Sequence, residues 1–279
     1  MSKKILMLTF SLAVIMAGCS PNKKSKTESQ AEKTKTLVLY YSQTGTTKQV
    51  AEELQRLLGA DIDSIVAVKS YGTDYDATIE RWKKEREDSA KVEIKPIQSN
   101  INDYDTIFLG FPIWGGSYAS PISTFVSENL LEGKTVITFA TFGSGGIEQA
   151  TVDVRKALPD ADVEEGYGVR NARISKAPEE IKKFIIEKGY IKGETESRKE
   201  FSEAKPVNPE ETEIFNQACG NYQFPLGSPV TVAKRSYDGI TEYRYDVKSK
   251  KNDGQETDAV IYVNVKPGET PEFTRVVRN

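Results

Sequence analysis

The 279-residue chain contains no histidine and only two cysteines, Cys19 and Cys219. Without imidazole a Ser-His-Asp triad is excluded, and without a cysteine cluster so is a zinc site, so no metal is expected. A net charge of −3 leaves no basic excess, and nucleic acid is not expected as a partner. The apolar run from Ile5 to Met16 falls short of the roughly 20 residues that a membrane-spanning helix needs. Known phosphate-binding signatures are missing too. The stretch Thr36–Gln49 has neither the GxGxxG of a dinucleotide fold nor the lysine and serine pair that closes a P-loop.

What is present begins with a secretory signal. Lys3 and Lys4 precede the apolar run, and Ala17, Gly18 and Cys19 follow it. The ending is similar to that of bacterial lipoprotein signals, which implies removal of residues 1–18, lipidation of Cys19 and export to the periplasmic or cell-surface side. Residues 19–35 are rich in Lys, Ser, Thr, Glu and Gln and cannot bury a core, so they read as a flexible tether. With Cys19 acylated, Cys219 is the single remaining thiol, no intrachain disulfide can form, and stability must come from packing.

From Thr36 the pattern changes to strand, polar loop and helix. Leu37–Tyr41 is an apolar β-forming run, and Ser42, Gln43, Thr44, Gly45, Thr46 and Thr47 supply hydroxyls and one glycine. A helical pattern with Val50, Ala51, Leu54, Leu57 and Leu58 follows. Such a turn aims free N–H groups and the positive helix end at whatever lies above, and a phosphate suits it. Further strands are expected at 62–68, 105–110, 135–140 and 161–165, with helices at 75–91, 121–126, 147–158 and 178–188. Two more uncharged loops stand out, Phe111–Tyr118 and Thr141–Gly146. Alternating strands and helices predict an α/β fold with a doubly wound five-stranded parallel sheet, its ligand at the carboxyl ends of the strands.

The motifs SQTGTT, GFPIWGG after YDTIFLG, and TFGSGG after ITFA occur in the order and at the spacing of one family. Residues 36–190 resemble the flavodoxins, which implies sheet order 2-1-3-4-5 and FMN as cofactor. Carried over by position, the resemblance puts Ser42, Gln43, Thr44, Gly45, Thr46 and Thr47 on the FMN phosphate. It puts Pro112, Ile113, Trp114, Gly115 and Gly116 along one side of the flavin ring, and Thr141, Phe142, Gly143 and Gly145 along the other. In the family a peptide of the second loop rotates toward flavin N5 on reduction, which Gly115 or Gly116 would permit. The third loop lacks the tyrosine many flavodoxins stack on the ring, a place Tyr118 could take. Neither 111–127 nor 141–147 contains an acid, so less negative charge would oppose electron addition than in low-potential flavodoxins.

Residues 191–207 read as a linker, and 208–279 as a small α+β unit of unassigned role. Asn208, Pro209 and Glu211 form a helix start, with Ile214, Phe215, Ala218 and Cys219 on one face. Four strands follow in alternating pattern, joined by an Asp238–Gly239 hairpin and by a polar loop near Asn252–Gly254. The expected function is electron transfer between redox partner proteins, a separate reductase and an acceptor, with the lipid anchor as sole membrane contact. No catalytic residue is assigned. Two alternatives stand beside it: a flavin-dependent NAD(P)H quinone or nitro-compound reductase, and a non-redox binding lipoprotein working through its C-terminal unit.

Overall fold

The alternating apolar runs become strands buried on both faces. The computed structural model describes residues 35–129, 131–224, 226–250 and 256–278. The signal, Cys19, the tether up to residue 34 and the Asn252–Gly254 loop lie outside the described residues. Among those described, no helix is long and apolar enough to cross a membrane.

The first part of the chain runs β1 (Thr36–Tyr40), α1 (Thr46–Leu58), β2 (Asp61–Ser64), α2 (Tyr75–Glu87), β3 (Thr106–Trp114), β4 (Ser117–Tyr118) and α3 (Ser120–Glu128). It continues with β5 (Thr135–Phe142), α4 (Glu148–Ala157), β6 (Asp162–Arg170), a 3-10 turn and α5 (Ala177–Glu187). Five strands pair in parallel in the order β2-β1-β3-β5-β6, and β4 folds back on the end of β3. Strand periodicity sorts the core. Leu37, Leu39, Ile107, Leu109 and Phe111 point to the face covered by α2, α3 and α4. Val38, Tyr40, Phe108, Ile137 and Phe139 point to the face where Val50, Ala51 and Leu54 of α1 meet Ile181 and Ile185 of α5. The expected doubly wound architecture and strand order are both present.

Helix α2, expected at 75–91, ends at Glu87, and three strand boundaries also differ by four residues or more, each for a local reason. The strand expected at 105–110 runs on to Trp114, because residues taken as loop pair with β5 as far as Pro112↔Thr141 and then turn back into β4. The strand expected at 62–68 ends at Ser64, and beyond it an isolated bridge joins Ala67 to Ile94. The strand expected at 161–165 continues to Arg170. Its interruption by Gly166 marks a bulge, where register shifts between Ile137 and Phe139 and a Cβ on Gly166 would sit 1.8 Å from the Thr138 carbonyl.

The rest of the chain forms a second sheet of five antiparallel strands ordered β11-β10-β9-β8-β7, one more than expected. These are β7 (Lys205–Pro206), β8 (Ser228–Tyr237), β9 (Ile240–Lys250), β10 (Glu256–Val265) and β11 (Glu272–Arg278). Helix α6 (Pro209–Cys219) packs on one face, with Phe215 against the fully buried Tyr245 and the Tyr245 hydroxyl donating to the Glu211 carbonyl at 2.8 Å. The Asp238–Gly239 hairpin has positive φ at both residues, as its turn type demands. Cys219 is buried in this core, and burial pushes its thiol up to about 12.

Asn208 and Glu211 cap α6 reciprocally, and the 1 % exposed Glu211 side chain also pairs with Lys234 at 2.7 Å and Lys205 at 3.3 Å. Burial works against the Glu211 carboxylate, but its bonds to Lys234, the Asn208 N–H and Lys205 outweigh burial and hold its pKa below the ordinary value. Its ionisation therefore contributes stability that is complete above the unfolded carboxyl pKa and lost as pH falls through the lowered folded value. Glu211→Gln should cost about 2 kcal/mol at neutral pH, charge-assisted bonds being worth roughly that much. Urea titrations should show the gap to wild type closing as the medium is acidified; a gap independent of pH would contradict the assignment.

Candidate functional site

The site is built where β1, β3 and β5, neighbours in the sheet, release three loops from their carboxyl ends. The first loop is the Ser42–Thr47 turn. Gly45 occupies the N-cap position of α1 at φ 94°, a left-handed conformation, and no side chain caps the helix. Its own N–H donates to Ser42 Oγ at 3.1 Å. The next three N–H groups, of Thr46, Thr47 and Lys48, have no carbonyl beneath them. Thr44 and Thr46 bring their hydroxyls within 3.5 Å of one another, and residues 41–47 contain no acid. Free amides, hydroxyls and a positive helix end without a competing carboxylate fit a phosphate.

Two side chains of this turn serve the scaffold. Gln43 Nε2 donates to the Gly72 carbonyl at 3.0 Å and to Thr78 Oγ1 at 2.8 Å, fastening the turn to the segment that opens α2. Thr47 is buried, and its hydroxyl meets that of Thr141 at 2.8 Å. The first and third loops are thereby joined directly, a link that no local reading of either loop contains.

The second loop is a tight hairpin. Ile113 pairs with Tyr118 and Trp114 with Ser117, leaving Gly115 and Gly116 as the two turn residues at φ 52° and 87°. Pro112 and Ile113 are half-buried, whereas Trp114 is only 3 % exposed. Its ring lies edge-on to Tyr41 at 5.8 Å and tilted on Tyr71 at 4.7 Å. Trp114 thus forms the floor under the hairpin as part of an aromatic cluster. Tyr118 packs edge-on against Phe111, and its phenol pKa is raised by burial and by the nearby Asp153 carboxylate. Asp153 belongs to α4 and accepts from Ser117 Oγ at 2.6 Å. The loops are free of acids along the chain, but folding brings this carboxylate one hydrogen bond from the hairpin. Its α4 position, 36 residues from Ser117, gave no local signal.

In the third loop Thr141 and Phe142 are buried, and Gly143 and Gly145 have open space where a side chain would stand. Arg170, at the end of β6, donates through Nε to the Gly143 carbonyl at 2.9 Å and through Nη1 to the Phe273 carbonyl of β11 at 2.8 Å. The Ser144 carbonyl accepts the Val276 N–H at 2.8 Å, and Glu148, just beyond the loop, accepts from Arg275 Nε at 2.8 Å. These partners escaped the sequence reading because β11 lies some 130 residues downstream, as the Glu148–Arg275 separation of 127 illustrates. Among the described residues no group of three potential metal-binding side chains occurs.

A doubly wound sheet with a hydroxyl-rich helix start and two glycine-bearing loops at its switch point defines a protein of the phosphate-binding α/β class. Residues 35–188 match the family model described as Flavodoxin, more than half of the chain. The chain belongs to the flavodoxin family. The match ends before α6 and the antiparallel sheet. No curated protein matches the chain. Among solved structures it is similar to a protein from Bacteroides uniformis described as a flavoprotein, at 32 % identity over 54 % of this chain and 99 % of that one, with a TM-score of 0.47. A similarly described protein from Bacteroides eggerthii is 31 % identical over 54 % and 98 % of the two chains, with a TM-score of 0.46. A Lactobacillus acidophilus flavoprotein, solved in complex with FMN, is 23 % identical over 51 % and 97 %, with a TM-score of 0.44.

The hairpin offers a direct test of local geometry. A Cβ on Gly115 would lie 2.1 Å from the Trp82 ring, whereas one on Gly116 meets nothing within 4 Å. Both have positive φ, so Gly116→Ala should lose about 1 kcal/mol from backbone strain alone. Gly115→Ala should lose at least about 2 kcal/mol more from overpacking, read as a shift in the urea midpoint. Equal losses would show that Trp82 can yield.

Proposed function

We propose that this chain binds FMN at the three-loop edge and passes electrons between separate redox proteins. The observation that carries the reading is the acid-free hydroxyl and amide cradle at the start of α1, adjoining two loops with open glycine backbone. Bound FMN supplies the redox chemistry, and the protein supplies binding, orientation and electrostatics. Thr44 and Thr46 hydroxyls and the first-turn amides hold the phosphate; Thr47, tied to Thr141, keeps that cradle in register with the ring loops. Gly115, Gly116, Gly143 and Gly145 bring backbone groups to the ring edge, and Trp114 with Tyr41 and Tyr71 excludes water from beneath the hairpin. Asp153, held on Ser117, adds a negative charge on the hairpin side.

The test is the absorption spectrum of residues 20–279 after mixing with FMN and removing free ligand. Retained flavin is expected, with affinity reduced at least about tenfold in Thr44→Glu, where like charges meet at the cradle. A folded protein that retains no flavin would overturn the proposal. The acid-free loops also favour a second reading, a flavin-dependent quinone or nitro-compound reductase; steady-state turnover with NADPH and a quinone, without added reductase, would select it. For location we propose an exported lipoprotein anchored through Cys19. Membrane recovery in fractionated cells should be lost in Cys19→Ser, and a variant still recovered with membranes would refute the anchor.

A further inference from the structure

The third loop is poor in stiffness of its own. Gly143, Gly145 and Gly146 leave its backbone many conformations, and residues 143–146 form no hydrogen-bonded turn among themselves. Its shape is set from outside. The carbonyls of Gly143 and Ser144 accept from the Arg170 guanidinium and the Val276 amide, and Arg275 holds Glu148 at the first turn of α4. Arg170 is the pivot, because the same guanidinium grips the Phe273 carbonyl and lies 4.1 Å from the Phe273 ring centroid.

The docking of β11 is itself fixed away from the loop. Arg173, buried at 8 % side-chain exposure, pairs with Glu180 of α5 at 2.6 Å and with Glu272 at the start of β11 at 3.0 Å. As an edge strand β11 would otherwise present unpaired N–H groups to solvent, and the loop covers that edge at Val276. The loop and the strand edge thus satisfy one another's backbone groups.

We propose that the C-terminal antiparallel sheet is a working part of the flavin site, with Arg170 and the β11 edge acting as positioning groups that hold the third loop in its ring-contacting shape. This rests on the FMN reading above. Release of β11 leaves the Ser144 carbonyl unpartnered and removes the Phe273 carbonyl that anchors Arg170, the remaining partner of the Gly143 carbonyl, so flavin affinity and potential depend on a sheet outside the flavin fold.

The experiment uses the full mature chain and three variants: Arg170→Ala, Arg170→Lys and Arg173→Gln. Amide exchange without ligand reads the brace alone, and Arg170→Ala should raise exchange at Val276, whose N–H donates to the loop, at least tenfold. With FMN, the same variant should bind at least about tenfold more weakly and shift the flavin absorption envelope and midpoint potential. Arg170→Lys, able to reach one carbonyl but not both, should recover part of each change. Arg173→Gln weakens the β11 anchor without touching the loop, and should lower the melting temperature while shifting the spectrum and potential of bound flavin only as far as exchange at Val276 rises. Unchanged exchange in Arg170→Ala, or unchanged flavin constants, would overturn the brace, as would a spectrum that follows stability alone across all three variants. A wild-type chain that exchanges as expected but retains no flavin would instead overturn the functional reading.

Discussion

The two-sided burial of β1 is the constraint on which the site depends. Leu37 and Leu39 enter one core, Val38 and Tyr40 the other, and all four are at most 9 % exposed. A strand so enclosed cannot slip by one residue without exchanging both sets of side chains, so its register with β2 and β3 is fixed. That register decides where the chain leaves the sheet after Tyr41, and hence where α1 begins and where its unpaired amides stand. The switch point follows from packing far more than from any single polar contact.

Around this edge the polar groups divide by task. Gln43 and Thr47 spend their side chains on the scaffold, toward Gly72, Thr78 and Thr141, and Ser42 Oγ accepts the Gly45 N–H, which leaves the Thr44 and Thr46 hydroxyls together beside the first-turn amides. The aromatic cluster of Trp114, Tyr41 and Tyr71 fills the space below the hairpin and is closed outside by Arg81, which lies 3.7 Å over the Tyr71 ring and pairs with Glu85 at 2.7 Å. The Tyr71 hydroxyl donates to the same Glu85. The hairpin is therefore packed within its own sheet, whereas the third loop takes a backbone partner from β11 of the other sheet.

How much of this the sequence carried depends on whether the signal was local. Residues 36–47 were legible because the change from apolar run to hydroxyl turn to helical period occurs within a dozen positions. The hairpin reads locally as loop since Pro112, Gly115 and Gly116 are turn-forming types, yet Pro112 lies beyond Gly110, the last β3 residue paired with β1, and still pairs with β5, and the two glycines make the turn itself. In β6 Gly166 reads locally as an end, but it marks a bulge and the strand continues to Arg170. Asp153, Arg170 and Val276 have no legible signal, because the loop and hairpin residues they bond are 27 residues or more away in sequence and meet them only through sheet and helix packing. The α6 cap was plain at Asn208 and Glu211, but the two lysines that complete it come from β7 and β8.

The buried pair Thr47 and Thr141 has one property that a charged tie would lack. Either hydroxyl can be the donor at the same 2.8 Å separation, so the bond has two proton arrangements over one set of heavy-atom positions. Reversing it flips a small dipole between the start of α1 and the end of β5 without disturbing the packing around it. The joint between the two loops is thus short, buried and neutral in either arrangement, and ties them without adding a net charge to the sheet edge.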